Sequence, residues 1–178
     1  TYNTPTIFMI NGKVDVLTIK NAFTEIMKRH ESLRTSFHQV GTEIVQKIND
    51  FIEVDFKHIN IYESELETYI QEFVKPFKLY KAPLFRVSYV QLDNMKSVLL
   101  IDMHHIISDG RSMDIIVNEL NYYYNNKKMP NVRIQYKDYT TWQQNFFNTS
   151  EFKKQEKYWI RNLKKPIPIL DLPTDYKR

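Results

Sequence analysis

From Lys96 to Gly110 the chain reads Lys-Ser-Val-Leu-Leu-Ile-Asp-Met-His-His-Ile-Ile-Ser-Asp-Gly. An apolar strand closes on two adjacent histidines, and an aspartate and a glycine follow at once. Side chains alternate between the faces of a strand. Val98, Leu100, Asp102 and His104 therefore share one face, and Leu99, Ile101, Met103 and His105 the other. The two histidines should therefore point in opposite directions and do different jobs, so that one can be structural while the other faces a cavity. Gly110 is one of only three glycines in the chain, an economy that predicts a backbone position which a side chain would spoil.

Adjacent strand residues are poorly placed to ligate one ion, and no third strong ligand lies nearby at helical spacing, so no metal site is expected. Acid–base work remains, because a neutral imidazole with a pKa of about 6.5 can take a proton near neutral pH. The alternative is a pair of partly buried histidines that merely satisfy backbone groups. Asp109 stands just ahead of a helix, where its carboxylate suits a buried arginine or the helix amides. Its expected task is to hold the loop. Ser108 is expected to cap the helix or donate a hydrogen bond.

A second cluster, Arg29-His30-Glu31-Ser32-Leu33-Arg34-Thr35-Ser36-Phe37, ends one helix and starts a strand. Basic residues favour helix C-termini. Arg34 lies past the helix and can reach inward to a carboxylate, with Asp109 the candidate partner. In a third cluster, Tyr136-Lys137-Asp138-Tyr139-Thr140-Thr141-Trp142, Asp138 reads as a helix N-cap with aromatic residues packing below it.

Around these clusters the pattern predicts a mixed α/β layer structure. Residues 6–10 suit a strand, and Asp15 caps a helix to about His30 whose inward face is Ile19, Ala22, Phe23, Ile26 and Met27. Thr35–Gln39 and Thr42–Ile48 read as strands joined around Gly41, Ile52–Phe56 as another, and Ser64 to about Val74 as a helix stopped by Pro76. Leu84–Leu92 and Lys96–Met103 predict a hairpin across Asp93-Asn94. Met113, Ile116, Val117, Leu120 and Tyr124 predict a helix face after the histidine motif. Two helices are expected over 138–147 and 150–163, then an extended, proline-rich linker from Pro166 to Pro173.

The absence of cysteine excludes disulfides, thiolate catalysis and a Cys-based zinc site. Residues 1–13 lack the blocks of a signal peptide and no apolar run is long enough to span a bilayer, so the expected place is the cytoplasm, away from membranes. A net charge of +4 is modest, and without a recognised motif it does not predict nucleic-acid binding. Lys153, Lys154, Lys157, Lys164, Lys165, Lys177 and Arg178 gather near the C-terminus, as a solvated face or as a docking surface for an acidic partner.

Taken in order, these clusters resemble the condensation domain of non-ribosomal peptide synthetases. His104–Gly110 is similar to its H-H-x-x-x-D-G signature, Arg29–Phe37 to R-H-E-x-L-R-T-x-F, and Tyr136, Asp138, Tyr139 and Trp142 to Y-x-D-[FY]-x-x-W. Tyr2-Asn3 and Leu172-Pro173-Thr174-Asp175 resemble the family's Y-N and L-P-x-D. The family's opening motif, and everything beyond L-P-x-D, have no counterpart. The resemblance thus implies the N-terminal half of a domain built as two chloramphenicol acetyltransferase-like halves with a tunnel between them. The implied fold is a two-layer sandwich with a mixed, largely antiparallel sheet flanked by helices. Residues 1–165 would form the subdomain and 166–178 a linker toward the C-terminal one.

The family's reaction is amide formation: the amine of a downstream aminoacyl group attacks an upstream acyl or peptidyl thioester. The resemblance implies no directly bound cofactor. Both substrates hang on phosphopantetheine arms of donor and acceptor carrier proteins, which, with the second half and adjacent synthetase domains, are the expected partners. By resemblance His105 is catalytic, as a base or as a positioning group. His104, Asp109, Ser108 and Arg34 support it, and Gly110 keeps the tunnel open. Epimerization domains share the histidine motif but often place Trp after the serine, where this chain has Met113; heterocyclization domains replace the histidines with aspartate. Other acyltransferases with the histidine motif lack the flanking clusters. An isolated half acting only as a carrier-docking module is the non-catalytic alternative.

Overall fold

The computed structural model describes residues 2–167, 169–170, 172–173 and 175–176. Six strands and five α-helices are present among them: β1 (Thr6–Asn11), α1 (Val16–Arg29), β2 (Thr35–Val40), β3 (Glu43–Ile48), β4 (Asp55–Asn60), α2 (Leu66–Phe73), β5 (Phe85–Gln91), β6 (Lys96–Met103), α3 (Gly110–Tyr124), α4 (Tyr136–Phe147) and α5 (Ser150–Asn162). Two compact units result, Thr1–Gln135 and Tyr136–Arg178.

The first unit is organised by a four-stranded sheet in the order β1-β6-β5-β4. The β5–β6 hairpin and the β1–β6 pair are antiparallel, whereas β4 runs parallel to β5. This is the mixed, largely antiparallel sheet flanked by helices that the resemblance implies. β2 and β3 form a separate antiparallel hairpin turning at Gly41, whose φ of +61° favours glycine.

Strand alternation divides the apolar residues between two cores. Val87, Tyr89, Leu99, Ile101 and Met103 pack against α1 and α3, whose Ile19, Phe23, Ile26, Met27 and Ile116 are buried with them. Val90, Val98 and Leu100 face the other way, against Phe73 and the partly buried Leu66 and Ile70 of α2. Burial on both faces makes β6 the best-enclosed strand, with Ser97 through Met103 all buried. A strand sealed on both sides fixes the direction of whatever leaves its end.

Three expectations need correction. The strand expected at Ile52–Phe56 runs from Asp55 to Asn60, because its partner β5 starts opposite Asp55; Ile52, Val54 and Phe56 still point into the core. On α3, Val117 is exposed and Glu119 is buried in its place, because Glu119 neutralises charge at the end of α1. In the second unit, α4 starts at Tyr136, so Asp138 lies inside its first turn and is not the N-cap. Thr149 does cap α5, accepting from the Phe152 N–H at 3.2 Å. Tyr139, Trp142 and Phe146 form a ring stripe along α4, with centroids 5.6 and 5.4 Å apart. Past Asn162 no helix or strand occurs among the described residues. Pro168, Asp171, Thr174, Lys177 and Arg178, part of the predicted linker, L-P-x-D stretch and basic cluster, lie outside them.

Candidate active site at the end of β6

His104 continues β6 by a single bridge to Asn3. Its N–H donates to Leu84 O at 3.0 Å, and the His105 N–H donates to Tyr2 O at 2.8 Å. The strand then stops because the next residues turn back onto His104. Ile107 N–H (3.1 Å) and Ser108 Oγ (3.2 Å) both donate to the His104 carbonyl. Ile106 N–H donates to His104 Nδ1 at 3.0 Å. Ser108 thus takes the hydrogen-bonding option, and Asp109 takes the cap: its Oδ1 accepts from Ser112 N–H at 2.9 Å and Ser112 Oγ at 2.8 Å, while Ser112 Oγ accepts from the Asp109 N–H at 3.1 Å. The side-chain bond from Ser112, followed by its backbone bond, holds the Asp109 carboxyl below its ordinary range.

The two histidines part as alternation requires. His104 is half-buried between the rings of Tyr2 and Phe77, at centroid distances of 6.4 and 6.3 Å. Its Nδ1 accepts a backbone bond, so the neutral ring carries its proton on Nε2. His105 is exposed, and among the described residues no side-chain hydrogen bond or ion pair holds its imidazole. One ring is fixed and the other is exposed.

Burial, then the neighbouring His105, pushes the His104 pKa below its usual value. A histidine with a folded pKa depressed below about 6.5 contributes stability above that pH and loses it as pH falls through the folded value. Protonation would also turn Nδ1 from an acceptor into a donor facing the Ile106 N–H. We expect the melting temperature to drop on acidification below about pH 6.5, and this drop to be smaller in His104→Gln. Equal acid sensitivity of the two proteins would contradict the assignment.

Arg34 does not meet Asp109. Its guanidinium donates to backbone carbonyls instead: Nε to Met27 O at 3.1 Å, Nη2 to Lys28 O at 3.3 Å, and Nη1 to Asn49 O and to Asp50 O. The fork closes the C-terminal end of α1, where free carbonyls await donors, and ties it to the end of β3. The clusters are joined through Glu119 of α3, which accepts from Arg29 Nε at 2.8 Å and contacts His30 Nε2 at 2.7 Å. Asp109→Ala should therefore cost about 1 kcal/mol as a lost cap, additive with Arg34→Ala to within about 0.5 kcal/mol. Denaturant melts of both single variants and the double variant check this; coupling above about 1 kcal/mol would restore the paired reading.

Gly110 also departs from expectation. It is the first residue of α3 without a positive φ, and a Cβ built there would meet nothing within 4 Å. The fold of this chain tolerates a side chain at that place; what it would alter is the open space beside the histidine turn.

Sequence reasoning missed a buried polar group behind His104. Asp102, on the His104 face of β6, is 0% exposed and lies directly across the hairpin from Arg86. Its Oδ2 accepts from Asn3 Nδ2 at 2.7 Å and stands 3.6 Å from Arg86 Nε. The signal was present: a hairpin centred near residue 94 pairs residues 86 and 102.

A family model described as Condensation domain matches residues 1–178. The chain is 44% identical over 177 residues to gramicidin S synthase 2 of Aneurinibacillus migulanus and 41% identical over 177 residues to surfactin synthase subunit 1 of Bacillus subtilis. These matches take in 99% of this chain but only 4% and 5% of those proteins. Among solved structures, the X-domain in complex with OxyB from teicoplanin biosynthesis superposes with a TM-score of 0.86 at 23% identity, covering 100% of this chain and 42% of that one. The EpoB cyclization-docking bidomain from Sorangium cellulosum gives 0.82 at 20% identity, covering 99% and 36%.

Proposed function

The chain belongs to the condensation-domain family, and on that premise we propose that it supplies the histidine-bearing wall of a site that forms an amide from two carrier-bound thioesters. One observation carries the reading: at the end of β6, His104 is fixed in place while the adjacent His105 imidazole is exposed and unengaged among the described residues. Such a pair presents one free imidazole at a defined point. The donor is an acyl or peptidyl thioester and the acceptor is an aminoacyl thioester. Each is held on a phosphopantetheine arm that belongs to a carrier protein and is substrate here, not a resident cofactor.

In the proposed step the acceptor nitrogen attacks the donor carbonyl carbon. An α-amine with a pKa of about 8 is largely protonated at neutral pH, so the ammonium first gives one proton up to His105, which returns it to solvent, or directly to solvent with His105 orienting the amine. The free amine then forms the C–N bond, the C–S bond breaks, and the second proton lost by the nitrogen passes to the departing thiolate. Asp109 serves indirectly, by capping α3 and fixing the turn that carries His105. The open space at Gly110 leaves room for an arm beside the turn. Arg34 and Ser108 contribute by securing the backbone.

The chain spans less than half the length of the two solved chains described above; in the proposed reading, a second half completes the site. The test is intact-mass detection of amide product with loaded donor and acceptor carriers, using the chain with and without a separately made second half. Product only with both halves supports the reading. Product from the chain alone overturns the need for a second half, and carrier binding without product in either mixture makes the chain a docking module.

A further inference from the structure

Behind the histidine pair, three segments converge on Asp102. Asn3 Nδ2 reaches both Asp102 Oδ2 at 2.7 Å and Lys75 O at 2.9 Å. Arg86 lies beside the same carboxylate and donates to Phe73 O at 3.2 Å and Lys75 O at 2.7 Å. The Arg86 guanidinium also lies 3.8 Å from the centroid of the Phe77 ring. The segment carrying Asn3 continues the sheet: Thr4 N–H donates to Met103 O at 2.8 Å, and Tyr2 O accepts from the His105 N–H at 2.8 Å. Both rings that flank His104, Tyr2 and Phe77, thus sit on segments anchored at Asp102.

We propose that Asp102 is a positioning residue for the histidine pair, holding the Tyr2–Thr4 segment through Asn3 and the Phe77 ring through Arg86. Its part in amide formation rests on the function proposed above; its control of histidine geometry does not. Net stabilisation is a poor explanation for the group. Burial pushes the Asp102 carboxyl up, against the Asn3 bond and the Arg86 charge, and burial pushes the Arg86 guanidinium down, against the charges of Asp102 and Asp55. Desolvation outweighs pairing on both sides, and buried pairs of this kind are weak sources of stability. The sheet has apolar contact on either side of Asp102 already. The carboxylate provides direction: a fixed acceptor one alternation before His104, reached by a donor from the strand that bonds His105.

The test compares Asp102→Asn, Asn3→Ala and the double variant in the full chain, by amide hydrogen exchange and by the imidazole signals of His104 and His105. Asn3 is only half-buried, so its substitution keeps the fold available even if Asp102→Asn does not fold. Either single variant should speed exchange of the His105 amide by about tenfold, the scale of one hydrogen bond to a charged group. Amides in the middle of β5 and β6 should remain protected. The His104 ring protons should shift as Tyr2 and Phe77 move, and the double variant should go no further than the single ones. An unchanged His105 amide in Asn3→Ala overturns the proposal. So does uniform loosening of the sheet in Asp102→Asn with no selective change at His104, which would mark a purely structural residue. These readouts need no carriers and no product, so failed amide formation leaves them intact. In the assembled site the same variants should lower kcat with little change in KM.

Discussion

Glu119→Ala is expected to destabilise the chain by about 3–5 kcal/mol, the cost of stripping one partner from a buried ion cluster. The carboxylate side chain is 5% exposed and meets two basic groups from the end of α1, Arg29 and His30. Their side chains are only 14% and 20% exposed, so water cannot fully replace the carboxylate when it is removed. The lost contacts also cross between helices: α1 and α3 cover the same face of the sheet, and Glu119 is the charged tie between them. Glu119→Gln keeps an acceptor for Arg29 and should recover part of the loss. Urea melts of the two variants check the ranking. A loss below about 1 kcal/mol for alanine would place the cluster with surface pairs, which contribute little.

The same tie shows what was legible in the sequence. Most strands and helices lie close to where the apolar pattern puts them, because a strand covered on both faces reads as a nearly unbroken apolar run and a helix covered on one face as an apolar stripe. Val98 to Met103 and the α1 face Ile19–Met27 are examples. The opposite orientation of His104 and His105 follows from strand alternation. The pairing of the charges did not follow. The sequence leaves Arg34 free to meet Asp109, but helix α1 ends in unsatisfied carbonyls, and Arg34 is close enough in sequence to take them. Asp109 in turn is held by the first turn of its own helix. Local backbone groups captured both residues before a long-range partner could. The apolar stripe of α3 predicts Val117 inside and assigns Glu119 no part, yet Glu119 is the buried residue. Only the approach of Arg29 and His30 makes that position favour a carboxylate.

Gly110 illustrates a different limit. Scarcity of glycine suggested a demand of the backbone, yet the two glycines with positive φ are Gly12 and Gly41. Scarcity reports that glycine was used for something, without saying whether backbone or neighbouring space required it. Asp102 is the converse case. Both it and its partner could have been located from the hairpin register, but a single aspartate in an apolar strand carries no period to attract notice.

On the function proposed above, His105→Ala should remove most of the amide-forming activity of the assembled site while leaving the fold unchanged. Loss of a group that moves a proton in the transition state is expected to lower the rate by about 10²–10⁴-fold. The imidazole is exposed and unengaged among the described residues, so the stability change should stay within about 0.5 kcal/mol, as for other surface substitutions. His104→Ala should behave differently. That ring contacts Tyr2 and Phe77 and accepts from Ile106, so its loss should weaken the turn as well as the activity. Single-turnover rates with the second half present and both carriers loaded, measured across pH beside melting curves, separate the cases. If His105 removes the proton from the attacking nitrogen, its loss flattens the limb of the pH profile that depends on a basic imidazole. If it orients the amine, the rate falls by the same factor at every pH. A His105→Ala variant that folds and keeps full activity would remove the imidazole from the mechanism and leave the placement of two tethered reactants as the source of the rate.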